Sequence, residues 1–97
     1  MGNIPDAAAV VAAVAALHDL VRAAFTGPPP DDAAGWAHLA GQAEQIATRG
    51  QWCRDATVAI ARRAGASWSQ LEHATGVADS TLVDRLVAFH RAEGTTT

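Results

Sequence analysis

The C-terminal half of the chain contains the stretch that decides the fold, residues 64–86. It reads Ala64-Gly65-Ala66-Ser67-Trp68-Ser69-Gln70-Leu71-Glu72-His73-Ala74-Thr75-Gly76-Val77-Ala78-Asp79-Ser80-Thr81-Leu82-Val83-Asp84-Arg85-Leu86. Ser67, with Gln70 three residues later, matches a capping box, in which two side chains satisfy the free amides that begin a helix. Gly76 suits the left-handed conformation that commonly ends a helix. These residues predict a helix of about two turns.

A second, longer helix is predicted from about Asp79. Val77 lies at the corner between the two helices, where an apolar side chain can fill the gap. Five apolar side chains of the pair are expected to face inward: Leu71, Ala74, Leu82, Leu86 and Phe89. A short helix, a glycine turn and a longer helix form the geometry of a helix-turn-helix.

The same stretch resembles the helix-turn-helix of bacterial DNA-binding regulators. Gly65-Ala66-Ser67-Trp68-x-x-Leu71 is similar to the start of this motif in small regulators and in the promoter-reading domains of sigma factors. Ala74-Thr75-Gly76-Val77, followed by Ser80-Thr81-Leu82, is similar to the turn of tetracycline-repressor-type domains. The resemblance covers about residues 55–91. It implies that the helix from about Asp79 to His90 enters the major groove of double-stranded DNA.

The resemblance also implies which residues contact DNA. The first turns of the second helix would meet base edges or nearby phosphates, and the start of the first helix would hold phosphate. The predicted DNA-binding residues are Arg62, Arg63, Ser67, Ser69, Gln70, Asp79, Ser80, Thr81, Asp84 and Arg85. The alternative is purely structural: Ser67 only caps its helix, the arginines lie on a solvated surface, and Arg85 pairs with a nearby acid.

Four positions depart from the family pattern. Glu72 stands where the family usually has a small residue, and Ala78 stands where it usually has a serine cap, so Asp79 or Ser80 is expected to take over the cap. Asp79 and Asp84 occupy exposed positions that often carry arginine or lysine. A carboxylate repels phosphate, although it can accept a hydrogen bond from cytosine.

The N-terminal half is predicted to be helical as well. The first helix runs from about Pro5 to Thr26 and stops at Gly27 and the three prolines that follow. Apolar residues at alternating spacings of four and three form a seam on it: Val10, Val14, Leu17 and Val21. Such a seam suits pairing with a second copy of the chain or with another protein partner. The alternative is that the seam packs on the following helices of the same chain.

A second helix is expected from Asp31-Asp32, with Trp36, Leu39, Ala43 and Ile46 on one side. Gly50 either ends it or bends it, and a third helix covers about residues 51–64. The tryptophans are expected in the core or at an interface. The chain is therefore predicted to be all-α, a single domain of about five helices over residues 1–97. Residues 5–50 form the dimerising part, residues 51–92 the helix-turn-helix module, and residues 93–97 a flexible tail.

Charge is distributed unevenly along the 97 residues. The chain has a net charge of -3 and no lysine; residues 1–48 carry one arginine and five acids, whereas residues 49–97 carry six arginines and five acids. The acidic front half is an unsuitable DNA surface, and the back half is only weakly basic for one. This balance keeps a second function open, in which the motif serves protein interaction.

Several classes of function are disfavoured by what the sequence lacks. Cys53 is the only cysteine, so no internal disulfide can form, which suits the cytoplasm. The four histidines show no local ligand spacing, and no nucleophile lies in a recognisable catalytic motif, so no metal, cofactor or enzymatic activity is expected. The apolar residues 7–25 contain His18, Asp19 and Arg22 and lack a basic leader, so neither a membrane span nor a signal peptide is expected.

The leading interpretation is a sequence-specific transcriptional regulator that binds DNA as a homodimer. The alternative is an adaptor or antitoxin-like module that keeps the helix-turn-helix scaffold but no longer binds DNA. A sensor of small molecules is a third, weaker interpretation, because the chain leaves no room for a separate ligand domain.

Overall fold

The computed structural model of the protein describes residues 5–94. It contains four α-helices: α1 (Ala7–Phe25), α2 (Ala33–Arg63), α3 (Trp68–Thr75) and α4 (Asp79–Gly94). Helices account for 82% of these residues, with no strand among them, which confirms the all-α class. The described residues form four helices, whereas about five were predicted from the sequence. The predicted tail, residues 93–97, begins inside α4, and residues 95–97 lie outside the described residues.

The difference in helix number arises at Gly50, through which α2 passes without a break. An interior glycine costs a helix up to about 1 kcal/mol relative to alanine, which a helix packed along its length can absorb. α2 therefore spans 31 residues, and the predicted boundary between residues 50 and 51 falls inside it. The N-cap of α2 is Asp32, whose Oδ1 accepts a hydrogen bond from the amide of Gly35 at 2.7 Å.

α1 begins at the Asp6 cap, whose Oδ1 accepts from the amide of Ala9 at 2.8 Å. After α1 the chain turns through Gly27, which has a φ of 98°, and continues into three prolines. α1 then lies antiparallel to α2, because Val10 packs near Ala56 at the far end of α2.

Two small apolar clusters form the core. The first, which we call the α1–α4 cluster, contains Ala56, Ala59 and Phe89, with Val10, Trp52 and Leu86 packed against it. The second, the α3–α4 cluster, contains Val58, Leu71 and Leu82, with Ala61, Ala66, Trp68 and Val77 packed against it. Four of the five side chains expected to face inward are buried or half-buried, whereas Ala74 is exposed. The C-terminal half of α2 thus contributes residues to both clusters.

The last turns of α4 are tied to α2 by a polar contact. The indole Nε1 of Trp52 donates to Glu93 Oε1 at 3.3 Å, and the Trp52 and Phe89 rings lie 6.3 Å apart between centroids. Trp52 and Trp68 pack against the two core clusters, one of the two locations expected for the tryptophans, whereas Trp36 is 52% exposed.

α1 remains largely open to solvent on the side away from α2. It is long and apolar enough to cross a membrane, with a mean hydropathy of 1.7 over its 19 residues. This is weak evidence for a span, since core helices and signal sequences share these properties.

Candidate functional site

The start of α3 has the capping box that the sequence predicts. Ser67 Oγ accepts from the Gln70 amide at 3.0 Å, and Gln70 Oε1 accepts from the Ser67 amide at 2.7 Å. Two amides that would otherwise be free are therefore satisfied. This pairing fixes the side chains of both residues at the exposed N-terminal end of α3.

The end of α3 also has the expected geometry. Gly76 has a φ of 71°, in the left-handed region, and its amide donates to the carbonyl of Glu72 at 2.9 Å. Thr75 Oγ1 donates to the Leu71 carbonyl at 2.7 Å and accepts from the Val77 amide at 3.2 Å. The chain therefore turns sharply between α3 and α4, and Val77 enters the α3–α4 cluster.

The start of α4 corrects the expectation that Asp79 or Ser80 provides its cap. Asp79 is already the first helical residue, and the amide of Leu82 donates to the carbonyl of Ala78, which makes Ala78 the capping position. The side chain of Ala78 has no acceptor. Instead Glu72 reaches across from α3, and its Oε2 accepts from the Asp79 amide at 3.1 Å.

Seven of the ten residues predicted to bind DNA are exposed on α3 and α4 or at the α3 cap: Ser67, Ser69, Gln70, Asp79, Ser80, Thr81 and Asp84. Ser69 and Asp79 line one polar groove between the two helices, which Glu72 and His73 also line. The structure thus brings residues from both helices to the same surface.

The outward face of α4 contains two residues that the sequence analysis did not single out. Positions separated by four and three residues share one face of a helix. Four exposed residues follow this spacing and form what we call the α4 outer stripe: Ser80, Asp84, Val87 and Arg91. Helical spacing counted from Ser80 would have identified Val87 and Arg91.

Arg62 and Arg63 are exposed, but both make contacts within the chain. Arg62 Nη1 donates to the Ala66 carbonyl at 2.6 Å, and its guanidinium lies 4.5 Å from the centre of the Trp68 ring. Arg63 Nη2 donates to the Pro5 carbonyl at 3.4 Å. Arg62 is thus held beside the start of α3, whereas Arg63 is tied to the residue that precedes the Asp6 cap of α1.

Arg85 lies apart from the α4 outer stripe. It is half-buried and lines a cavity between α2 and α4, together with Arg54 and Asp55. The expected alternative of an ion pair with a nearby acid does not occur, since Arg85 has no hydrogen-bond or ion-pair partner among residues 5–94.

Arg54 and Asp55 form the ion pair of this region. Arg54 Nε lies 2.8 Å from Asp55 Oδ1, and Arg54 Nη2 lies 3.2 Å from Asp55 Oδ2. This bidentate hydrogen bond with Asp55 raises the pKa of the Arg54 guanidinium above its ordinary value. Asp55, the acid that shares the cavity with Arg85, is therefore engaged by Arg54 instead.

The seam predicted on α1 is divided between two environments. Val10 and Leu17 are half-buried, whereas Val14 and Val21 are exposed. The exposed positions belong to a second seam at spacings of three and four residues, which we call the α1 outer seam: Val11, Val14, His18, Val21 and Phe25. Val11 and Phe25 are 68% and 58% exposed. Apart from His18, this seam is an apolar row on the surface.

No group of three metal-ligating side chains occurs within the part of the chain that the structure describes. Cys53 is buried beneath α1 and unpaired with another sulfur.

No protein-family model, curated protein or solved structure matches the chain.

Proposed function

We propose that this protein is a cytoplasmic, sequence-specific DNA-binding regulator of transcription that acts as a homodimer. The observation that carries the proposal is the pairing of α3 and α4. A capping box begins α3, the left-handed Gly76 ends it, and the α3–α4 cluster holds both helices on α2. This arrangement leaves the first turns of α4 exposed, as entry into a major groove requires.

In this proposal α4 enters the major groove and presents the α4 outer stripe to the bases. Ser80 and Asp84 lie in the first turns, where base contacts concentrate, and Arg91 follows on the same face. Ser67, Ser69 and Gln70 lie at the start of α3, where the side-chain hydroxyls, the Gln70 side-chain amide group and the backbone amides that the capping box leaves free suit a phosphate. Arg62 and Arg63 would flank the duplex.

The charge of this surface limits how tightly it can bind. Glu72, Asp79 and Asp84 are exposed at or beside α4, and each repels phosphate. Few phosphate contacts mean little counterion release, so we expect a shallow dependence of affinity on salt. Binding by one copy would be weak, which makes a second copy on an adjacent half-site important.

The α1 outer seam supplies a surface for that second copy. Its spacing of three and four residues is the pattern by which two helices pack side by side. An apolar row left exposed on a small domain costs stability that an isologous contact would recover. Dimerisation is therefore proposed through Val14 and Val21 of the predicted seam, with Val11 and Phe25 in place of Val10 and Leu17.

The test begins with selection of bound sequences from a random pool of duplex DNA. A recovered site with two symmetric halves is the expected result. Affinity for that site is then measured with Arg91→Gln and Ser80→Ala, which should weaken binding by about tenfold when combined. Arg49→Gln removes the same charge from α2, outside the α4 outer stripe, and should change affinity little.

Failure to bind any duplex at low salt, in protein shown to be dimeric, would refute the DNA-binding proposal. That result would favour the second candidate, an adaptor or antitoxin-like module that binds another protein. The specific observation behind it is the same surface, where exposed Val83 and Val87 lie among the acidic side chains. An apolar pair beside Asp79 and Asp84 suits a partner with an apolar, basic face.

A further inference from the structure

A cavity of about 220 Å³ lies between α2 and α4, behind the α4 outer stripe. Its apolar wall consists of Val58, Val77, Leu82 and Leu86. Its polar lining consists of Arg54, Asp55, Thr75 and Arg85. The cavity thus combines a hydrocarbon wall with a small number of polar groups, the composition typical of small-molecule sites.

The hydrogen-bonding state of the lining restricts what can bind there. Asp55 accepts two hydrogen bonds from Arg54, and the Thr75 hydroxyl both donates to Leu71 and accepts from Val77. Arg85 is the contrasting group, a half-buried guanidinium with no polar partner in residues 5–94. A partly desolvated cation without an acceptor is unfavourable, and an anion placed beside it would relieve that cost.

We infer that this cavity binds a small organic monoanion, a carboxylate with a hydrocarbon body. The carboxylate would pair with Arg85, and the body would lie against the wall that Val58, Val77 and Leu86 provide. A cation would meet two guanidinium groups and no free acid. An inorganic anion would leave the apolar wall uncovered. A dianion would bring two negative charges to a cavity in which Arg85 is the one positive charge without a partner among residues 5–94.

The volume sets the size of the ligand. Drug-sized ligands occupy pockets of about 300–1,000 Å³, so a cavity of 220 Å³ suits a smaller molecule. Affinity for so small a ligand is expected to be weak, with a Kd on the order of 1 mM. Such a ligand would contact α2 and α4 at once and would stabilise their contact.

The experiment titrates the full-length, 15N-labelled protein with hexanoate and with benzoate at constant ionic strength. Hexanol and benzyl alcohol serve as neutral probes of the same shape, and hexylamine as a cationic one. Saturable shifts of the amide signals of the lining residues are expected with the carboxylates alone. No DNA is present, so the outcome is separate from that of the DNA-binding proposal.

Two variants locate the site. Arg85→Gln should weaken carboxylate binding by about tenfold, the contribution of one charge-assisted hydrogen bond. Val77→Met should weaken it by filling the cavity while Arg85 is kept. Arg91→Gln, on the exposed face of the same helix, is the matched control and should bind as the wild type does.

Equal binding of the alcohols would overturn the inference, as would unchanged binding by Arg85→Gln. Absence of any saturable shift with both carboxylates in the folded wild-type protein would overturn it too. Amide spectra recorded before titration show whether each variant is folded, and the two variants act through different changes.

Discussion

Glu72 and Asp79 join the two C-terminal helices through one hydrogen bond, in which the Glu72 carboxylate accepts from the Asp79 backbone amide at 3.1 Å. The first amides of a helix have no partner within it, and a side chain at the capping position normally accepts from one of them. Ala78 occupies that position in α4 and offers no acceptor. Glu72, which departs from the expected pattern in α3, therefore substitutes for the side-chain cap that α4 lacks.

Replacing Glu72 should destabilise the protein. We expect Glu72→Ala to lower the free energy of unfolding by about 1 kcal/mol, the usual contribution of a helix cap. Glu72→Gln keeps a side-chain oxygen that can accept the hydrogen bond and should lose less. Urea unfolding followed by circular dichroism measures both changes. In the Glu72→Ala background, Ala78→Ser gives α4 a cap of its own and should recover part of the loss. Wild-type stability in Glu72→Ala would show that the hydrogen bond contributes nothing.

Two glycines of α2 should respond in opposite directions to alanine. A Cβ at Gly50 meets no atom within 4 Å, so Gly50→Ala should raise the free energy of unfolding by up to about 1 kcal/mol. A Cβ at Gly35 would lie 2.7 Å from Pro30 Cβ and 2.9 Å from Asp32 Oδ1. Gly35→Ala should therefore lower stability by about 1–3 kcal/mol.

Gly41 is a control for this comparison, because a methyl group added there also meets open space and the residue lies between the other two glycines. Gly41→Ala should behave as Gly50→Ala does when thermal unfolding is measured on all three variants. A loss of stability in Gly50→Ala would mean that the helix needs the glycine at that point.

An acidic residue in the α1 outer seam should prevent dimerisation. Val14 is 49% exposed and Val21 is 36% exposed, so aspartate at either position is tolerated in the monomer but would be buried unpaired between two copies. We expect Val14→Asp and Val21→Asp to raise the dimer dissociation constant by at least about tenfold in sedimentation equilibrium. Ala12→Asp, on another exposed face of α1, should leave it unchanged. Equal dimerisation in all three variants would place the interface elsewhere.

Removing a charge from the α4 outer stripe should strengthen binding to DNA. Asp84 is exposed on that stripe, and a surface charge contributes up to about 1 kcal/mol. Asp84→Asn should therefore improve affinity for nonspecific duplex roughly two- to fivefold, by about that energy at low salt. Asp31→Asn makes the same charge change at the corner before α2 and should have a smaller effect. Weaker binding by Asp84→Asn would instead indicate that the carboxylate contacts a base.

Local patterns in the sequence were sufficient to predict the ends of α3. Ser67 with Gln70, and Gly76 by itself, act through partners only a few residues away, so the chain order contains the whole interaction. Whether the helix ends at Gly50 could not be predicted in this way. Packing against α1, which is distant in sequence, decides whether a helix continues through a glycine. The cap from Glu72 spans seven residues across a turn and could not be seen from either helix separately.

Positions around a helix were predicted less well than its ends. Arg85 lies three residues after the buried Leu82 and four before the buried Phe89, a spacing that sets it beside the inward face. That spacing could have been recognised in the sequence. The division of the α1 seam could not be predicted, because Val14 lies at helical spacing from both Val10 and Val11. Only the position of α2 decides which of those two residues is covered.

The uninterrupted course of α2 has a consequence for how two copies could meet DNA. At 1.5 Å per residue its 31 residues extend about 46 Å, so α1 and α4 are attached to one stiff axis. α1 runs back along this axis until Val10 meets the same cluster as Phe89 of α4, so the α1 outer seam and the α4 outer stripe are held at a fixed angle to each other. The separation and mutual orientation of two bound half-sites would thus be set by how α1 and α4 pack on a single continuous helix.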